Sequence, residues 1–138
     1  MISASITDLS ARLREHGITP TLQRLQVAEV MLSAPVHLNA DQVLASARTI
    51  APEISRATVY STLSLLSERG LLRTLDIDGT ALVFDSTLTP HHHLFDLDTR
   101  TVSDLPADAL ELTVSPALAQ DFDIASIELV VKVRRRPR

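Results

Sequence analysis

The stretch "SRATVYSTLSLLSERGLLRTLDIDGTALVFD", residues 55–85, changes its period partway along. Up to Gly70 the apolar residues keep helical spacing. Val59, Leu63 and Leu66 stand at i, i+4 and i+7, which puts them on one face of a helix. Ser55 offers a capping side chain in front and Gly70 a stop behind. Beyond Gly70 two short apolar runs flank Asp78-Gly79, the pattern of a β-hairpin. A helix running straight into a hairpin is therefore the organising unit of the first half.

Upstream, helices are expected with clear punctuation. "TDLSARLREHG" runs from a Thr or Asp cap to Gly17. In "TPTLQRLQVAEVMLSAP", Leu22, Leu25, Val27, Val30, Met31 and Leu32 give a broad apolar face closed by Pro35. "LNADQVLASARTIAP" opens at an Asn39 cap and sets Val43, Leu44, Ala47 and Ile50 on one side. Downstream, "HLFDLD" and "RTVSDL" have the look of strands joined by a turn. "ADALELTVSPALAQDFD" allows either a strand over "LELTV" or a short helix from Pro116. In "IASIELVVKVRRR", Ile127, Leu129, Val131 and Val133 alternate, as in a strand with one buried face. Helices come first and strands second, which makes the fold class α+β.

The 138 residues suffice for one ordinary domain or two small ones. Aromatics make up only 3%, so the core has to be built from Leu, Val, Ile and Ala. No apolar run reaches the length of a membrane span, and the first residues read as amphipathic rather than as a signal peptide. With no cysteine there is no disulfide framework, thiolate metal site or thiol chemistry, and a cytoplasmic protein is the default. The net charge of −4 hides an asymmetry. Residues 1–75 carry seven Arg against six acids, residues 76–128 carry eleven acids and Arg100 alone, and "KVRRRPR" restores five positive charges. An acidic middle is repelled by a phosphate backbone, whereas the arginine-bearing first half is compatible with one.

Short helices followed by a hairpin are the order of a winged helix-turn-helix, whose last helix enters a major groove. Arg56, Tyr60 and Ser64 lie four apart, opposite the Val59–Leu63–Leu66 stripe, and Ser55, Thr58 and Ser61 add short hydroxyl groups. An ordinary helical bundle with a solvated polar face fits the same periodicity. In the second half, "PHHHLFDLDTRTVSD", residues 90–104, groups three of the five histidines. On a strand His91 and His93 share a face and His92 points away. With Asp85 and Asp104 nearby in sequence, two imidazoles and carboxylates suit Zn, Mn or Fe(II). A polar solvated loop is the plainer alternative. No HExxH, GxSxG or glycine-rich phosphate loop is present, so no enzyme is expected; a metal-binding enzyme or metal-storage module without specific DNA binding is the alternative to a regulator.

Taken in order, "GITPTLQRLQVAEVML", "HLNADQVLASA", "ISRATVYSTLSLLSERGLL", "GTALVFD" and "HHHLFDLD" resemble the ferric uptake regulator family, over almost the whole chain from about Gly17. The resemblance implies a homodimeric repressor that binds operator DNA in response to iron, manganese or zinc. It implies a winged-helix DNA-binding domain over 1–84, a hinge over 85–90 and a small α/β dimerisation and metal-sensing domain over 91–138. It also implies a metal site of His37, Asp85, His91, His93 and Asp104, and DNA contacts from Arg24, Ser55, Arg56, Thr58, Tyr60, Ser61 and Arg73.

The chain also departs from the family pattern. Asp96 and Thr99 occupy the positions of the first CxxC pair, and no second pair exists, so no cysteine-ligated structural zinc is expected. A further metal site is only partly matched: His92 and Glu111 fall at its positions, with Pro90 and Ile127 where two His would stand. Ser61 replaces the Arg that usually follows "TVY". "TVYSTL", "HHHLFD", "SDLP" and "IELVVKVRRR" resemble the iron response regulator subgroup. That likeness implies haem sensing through the consecutive histidines, so His91, His92, His93 and Glu111 form a candidate haem or second-metal set. A manganese- or iron-activated repressor without haem is the alternative within the family.

Overall fold

The computed structural model describes residues 5–77, 79 and 81–138. The chain divides into two compact units, Met1–Leu88 and Thr89–Arg138.

In the first unit, α1 (Ile6–Glu15), α2 (Leu22–Leu32), α3 (Ala40–Ile50) and α4 (Arg56–Glu68) enclose a single aliphatic core. The N-caps are Ser5, Thr21, Asn39 and Ser55, each accepting a backbone N–H three residues on. Ser5 thus caps α1 in place of the expected Thr or Asp. Asn39 and Gln42 complete a reciprocal capping box. Gly17 and Gly70 take φ of 74° and 80° just past α1 and α4, where a left-handed residue ends a helix cheaply. Val59, Leu63 and Leu66 are fully buried, as their spacing requires, and Thr62 joins them. Leu22 and Ile50, expected on buried faces, are exposed instead, because each sits at a helix end beyond the reach of the core.

Behind the helices, β1 (His37–Asn39), β2 (Arg73–Asp76) and β3 (Leu82–Asp85) form an antiparallel sheet in the order β1-β3-β2. The hairpin β2–β3 is the one read from the sequence; Asp78 of its Asp-Gly turn lies outside the described residues. Strand β1 was not legible, since three residues carry no period. The unit is a winged helix-turn-helix.

The second unit centres on β4 (His93–Asp96), which pairs antiparallel with β5 (Thr101–Asp104) and parallel with β6 (Val130–Val133). Of the two readings of residues 107–123, the helix is correct: α5 spans Pro116–Asp121 behind a Ser115 cap, and residues 110–114 form no strand. The expected buried face of the last strand is only partly realised. Leu129, Val131 and Val133 are half-buried, Ile127 is exposed, and Phe95 is the unit's one buried hydrophobic residue.

Candidate metal centre and recognition helix

Each unit assembles a donor group of its own. In the first, β1 pairs with β3 so that His37 stands directly opposite Asp85. The imidazole Nε2 lies 3.1 Å from Asp85 Oδ2, and both side chains are almost wholly excluded from solvent. Asp85 Oδ1 accepts the Thr87 amide at 2.8 Å, which fixes the carboxylate and directs Oδ2 at the ring.

In the second unit, β4–β5 register sets His93 opposite Asp104. His91 lies two residues ahead of His93, before the strand begins, yet its ring centroid is 4.2 Å from that of His93. Extended chain geometry thus starts earlier than the hydrogen-bonded strand, and the two rings share a side. One ligand atom from each of His91, His93 and Asp104 lies within 4.8 Å of the others. Ligands held at roughly 2.0–2.2 Å from one ion stand at comparable mutual distances.

The tautomer of His91 decides what this cluster can do. Its Nδ1 is 2.6 Å from the Thr89 carbonyl, an acceptor only, so Nδ1 must carry the proton. In the neutral ring Nε2 then presents a lone pair to Asp104 Oδ1, 3.0 Å away. Lone pair against carboxylate is repulsive unless a cation, either a proton or a metal ion, joins them. A backbone carbonyl orienting the remote nitrogen is the usual second partner of a metal-binding histidine. His92 is held differently. Its Nδ1 accepts the Leu129 amide at 3.0 Å, which leaves the ring proton on Nε2 and the one lone pair of the neutral ring already engaged. Glu111 is exposed on the loop before α5.

On α4, Arg56, Tyr60, Ser61 and Ser64 are exposed and Thr58 is half-buried. Ser55 is committed to capping: its Oγ accepts Thr58 N–H at 3.1 Å and donates to Thr58 Oγ1 at 2.8 Å. Ser61 Oγ donates back to the Thr58 carbonyl. Arg24 on α2 donates to the Thr19 carbonyl at 2.9 Å, and Arg73 on β2 is half-buried. No sequence pattern pointed to Asp41, in the first turn of α3. Its carboxylate accepts from Arg56 Nη1 at 2.5 Å and from the Tyr60 hydroxyl at 3.1 Å. These partners lie 15 and 19 residues away, so no local pattern could have announced them. Where the family would place its first cysteine pair, the buried Asp96 Oδ1 accepts the Asp98 and Thr99 amides, and Oδ2 accepts Arg135 Nε at 3.1 Å. A carboxylate and an arginine hold this turn.

A winged helix followed by a small α/β unit, with nitrogen and oxygen donors suited to a divalent metal, defines the class of protein. The Ferric uptake regulator family profile matches residues 15–132, and the chain belongs to that family. The ferric uptake regulation protein of Klebsiella pneumoniae is 31% identical over 109 residues, covering 78% of this chain and 70% of its own length. Ferric uptake regulation protein 1 of Mycolicibacterium fortuitum is 28% identical over 124 residues, 87% of this chain and 76% of its own. Among solved structures, the Vibrio cholerae ferric uptake regulator matches with a TM-score of 0.73 at 23% identity, covering 93% of this chain and 100% of that one. A zinc-bound manganese uptake regulator matches with a TM-score of 0.72 at 20% identity, covering 96% and 100%. Members of the family are metal-responsive transcriptional regulators, not enzymes, and include DNA-binding repressors that bind iron, manganese or zinc. Among the described residues no helix is long and apolar enough to cross a membrane.

Proposed function

We propose that the protein is a homodimeric, metal-responsive repressor in which one divalent ion draws ligands from both units: His37 and Asp85 from the first, His91, His93 and Asp104 from the second. The observation that carries this reading is His91, whose Nδ1 is committed to the Thr89 carbonyl while Nε2 faces Asp104 at 3.0 Å. Two donors in one unit and three in the other are each few for a four- to six-coordinate ion. Only five residues separate Asp85 from His91, a short enough tether for one ion to recruit both sets. When bound, the ion would supply the cross-link that makes domain spacing, and so DNA affinity, depend on metal. The donor set lacks sulfur, which suits Mn, Fe(II) or Zn.

Two further observations support the rest of the reading. The α4 face bearing Arg56, Tyr60 and Ser64 is polar and exposed beside the wing, the placement of a recognition helix. The second unit buries only Phe95 among its hydrophobic residues, yet exposes Leu112, Leu118, Phe122, Ile124 and Ile127. Fifty residues with so small a core need a partner surface, and a second copy supplies it. Kinship with the iron response regulators is supported by the missing cysteines and the His triplet. A metal ion rather than haem is favoured, because haem at His92 would require giving up the Leu129 bond. Titrating Mn(II) into protein and a duplex selected from a random pool tests the whole reading. DNA affinity should change with metal in the wild type and not in His91→Ala. Metal-independent affinity would reject it.

A further inference from the structure

Arg56 is the sole cation on α4, and Asp41 neutralises it. The same carboxylate also accepts the Tyr60 hydroxyl at 3.1 Å, and Arg56 Nη1 reaches that hydroxyl at 3.4 Å. The guanidinium carbon stands 5.8 Å from the Tyr60 ring centroid. The two side chains best placed to read bases are thus gathered on one acid from a different helix. All three groups are exposed, with the Arg56 and Asp41 side chains 61% and 69% accessible. An exposed pair of this kind is weak, so a competing acceptor can displace it.

We propose that Asp41 is a specificity-determining residue, which withholds Arg56 and Tyr60 from phosphates and yields them only to a base edge that replaces its two hydrogen bonds. The proposal rests on α4 being the recognition helix. Its physics is a contest of acceptors. A non-specific duplex offers Arg56 a phosphate oxygen but must bring its own negative charge up to Asp41. A guanine edge offers two acceptors in the plane of the guanidinium and carries no net charge, so it gains the arginine without that repulsion. Asp41 therefore lowers affinity for random sequence more than for the preferred one. The hydrogen bonds from Arg56 and Tyr60 hold the Asp41 carboxyl below the usual carboxylate range, so the acid keeps its charge at neutral pH.

The test uses the protein in whichever state, metal-free or Mn(II)-loaded, binds DNA more tightly, with a random-sequence duplex and a duplex selected from a random pool. Asp41→Asn and Asp41→Ala should bind the random duplex about two- to fivefold tighter, the weight of one exposed ion pair. The log–log salt dependence should steepen by roughly 0.9 per protomer, as one cation is released to a phosphate. The ratio of selected to random affinity should fall, and adding Arg56→Ala should erase the gain. Tyr60 is the only tyrosine and there is no tryptophan, so intrinsic emission reports this site alone. Removing the carboxylate that quenches it should raise emission while the melting curve stays in place. Unchanged or weaker random-duplex binding in Asp41→Asn, or a gain that survives Arg56→Ala, would overturn the proposal. Failure of the wild type to bind any duplex would instead remove the recognition-helix reading, and this proposal with it.

Discussion

At the scale of single residues, adjacent histidines are put to different uses. His93 is buried opposite Asp104, whereas His92 spends its acceptor nitrogen on the Leu129 amide. His93→Ala should therefore lose most Mn(II) affinity in a calorimetric titration. His92→Ala should keep that affinity but melt earlier, because an orphaned amide costs about 1 kcal/mol or more. Equal metal loss in both variants would contradict the division. Asp96 supports a prediction in acid. The Thr99 amide, then the Asp98 amide and Arg135, hold its carboxyl below the ordinary range despite opposing burial. A depressed folded-state value means that its stabilising contribution is complete above the unfolded pKa of about 3.9 and is lost as pH falls through the lower folded value. Metal-free protein should lose stability in that acidic window, and Asp96→Asn should flatten the loss while lowering stability at neutral pH. Melting curves collected from neutral pH down through the window would show it.

At the scale of elements, α4 illustrates packing overriding propensity. Its Thr58, Val59 and Thr62 are β-branched and mildly unfavourable in a helix, yet the helix holds because Val59, Leu63 and Leu66 fill the core. Leu63→Ala should cost about 2–5 kcal/mol in urea unfolding. Ser55→Ala should cost about 1 kcal/mol through the lost cap, and Ser55→Thr should retain most of it. If Ser55→Ala weakens DNA binding without loss of stability, Ser55 is a contact and not chiefly a cap. The Asn39 and Ser55 caps were legible from side-chain chemistry and position, whereas α1 is capped by Ser5 and not by the expected Thr or Asp. The positions of Leu22 and Ile50 were not, since periodicity gives a face but not how far along the helix the core extends.

At the scale of the whole molecule, the turn at Asp96 is held by backbone amides and Arg135 rather than by thiolates. Chelation should strip bound metal while circular dichroism and sedimentation stay unchanged; unfolded monomers would mean that the His/Asp group is structural. The thin core of the second unit makes the opposite demand on assembly. Phe122→Asp should shift the sedimentation coefficient toward a monomer, because a charge on the exposed apolar surface forfeits burial worth roughly 25 cal/mol per Å².

The sequence by itself determined the helices of the first half, the Asn39 and Ser55 caps, the wing hairpin and the grouping of His91 with His93, because these follow from period, composition and short-range geometry. It could not distinguish a metal ligand from a solvated histidine, since that depends on what the other ring nitrogen meets. What that nitrogen meets is set by the Thr89 carbonyl for His91 and the Leu129 amide for His92, backbone atoms that no residue type announces. Nor could it show Asp41 holding Arg56 and Tyr60, nor His37 opposite Asp85. Those pairings join segments distant along the chain, and only the packing of α3 on α4 and of β1 on β3 brings them within reach.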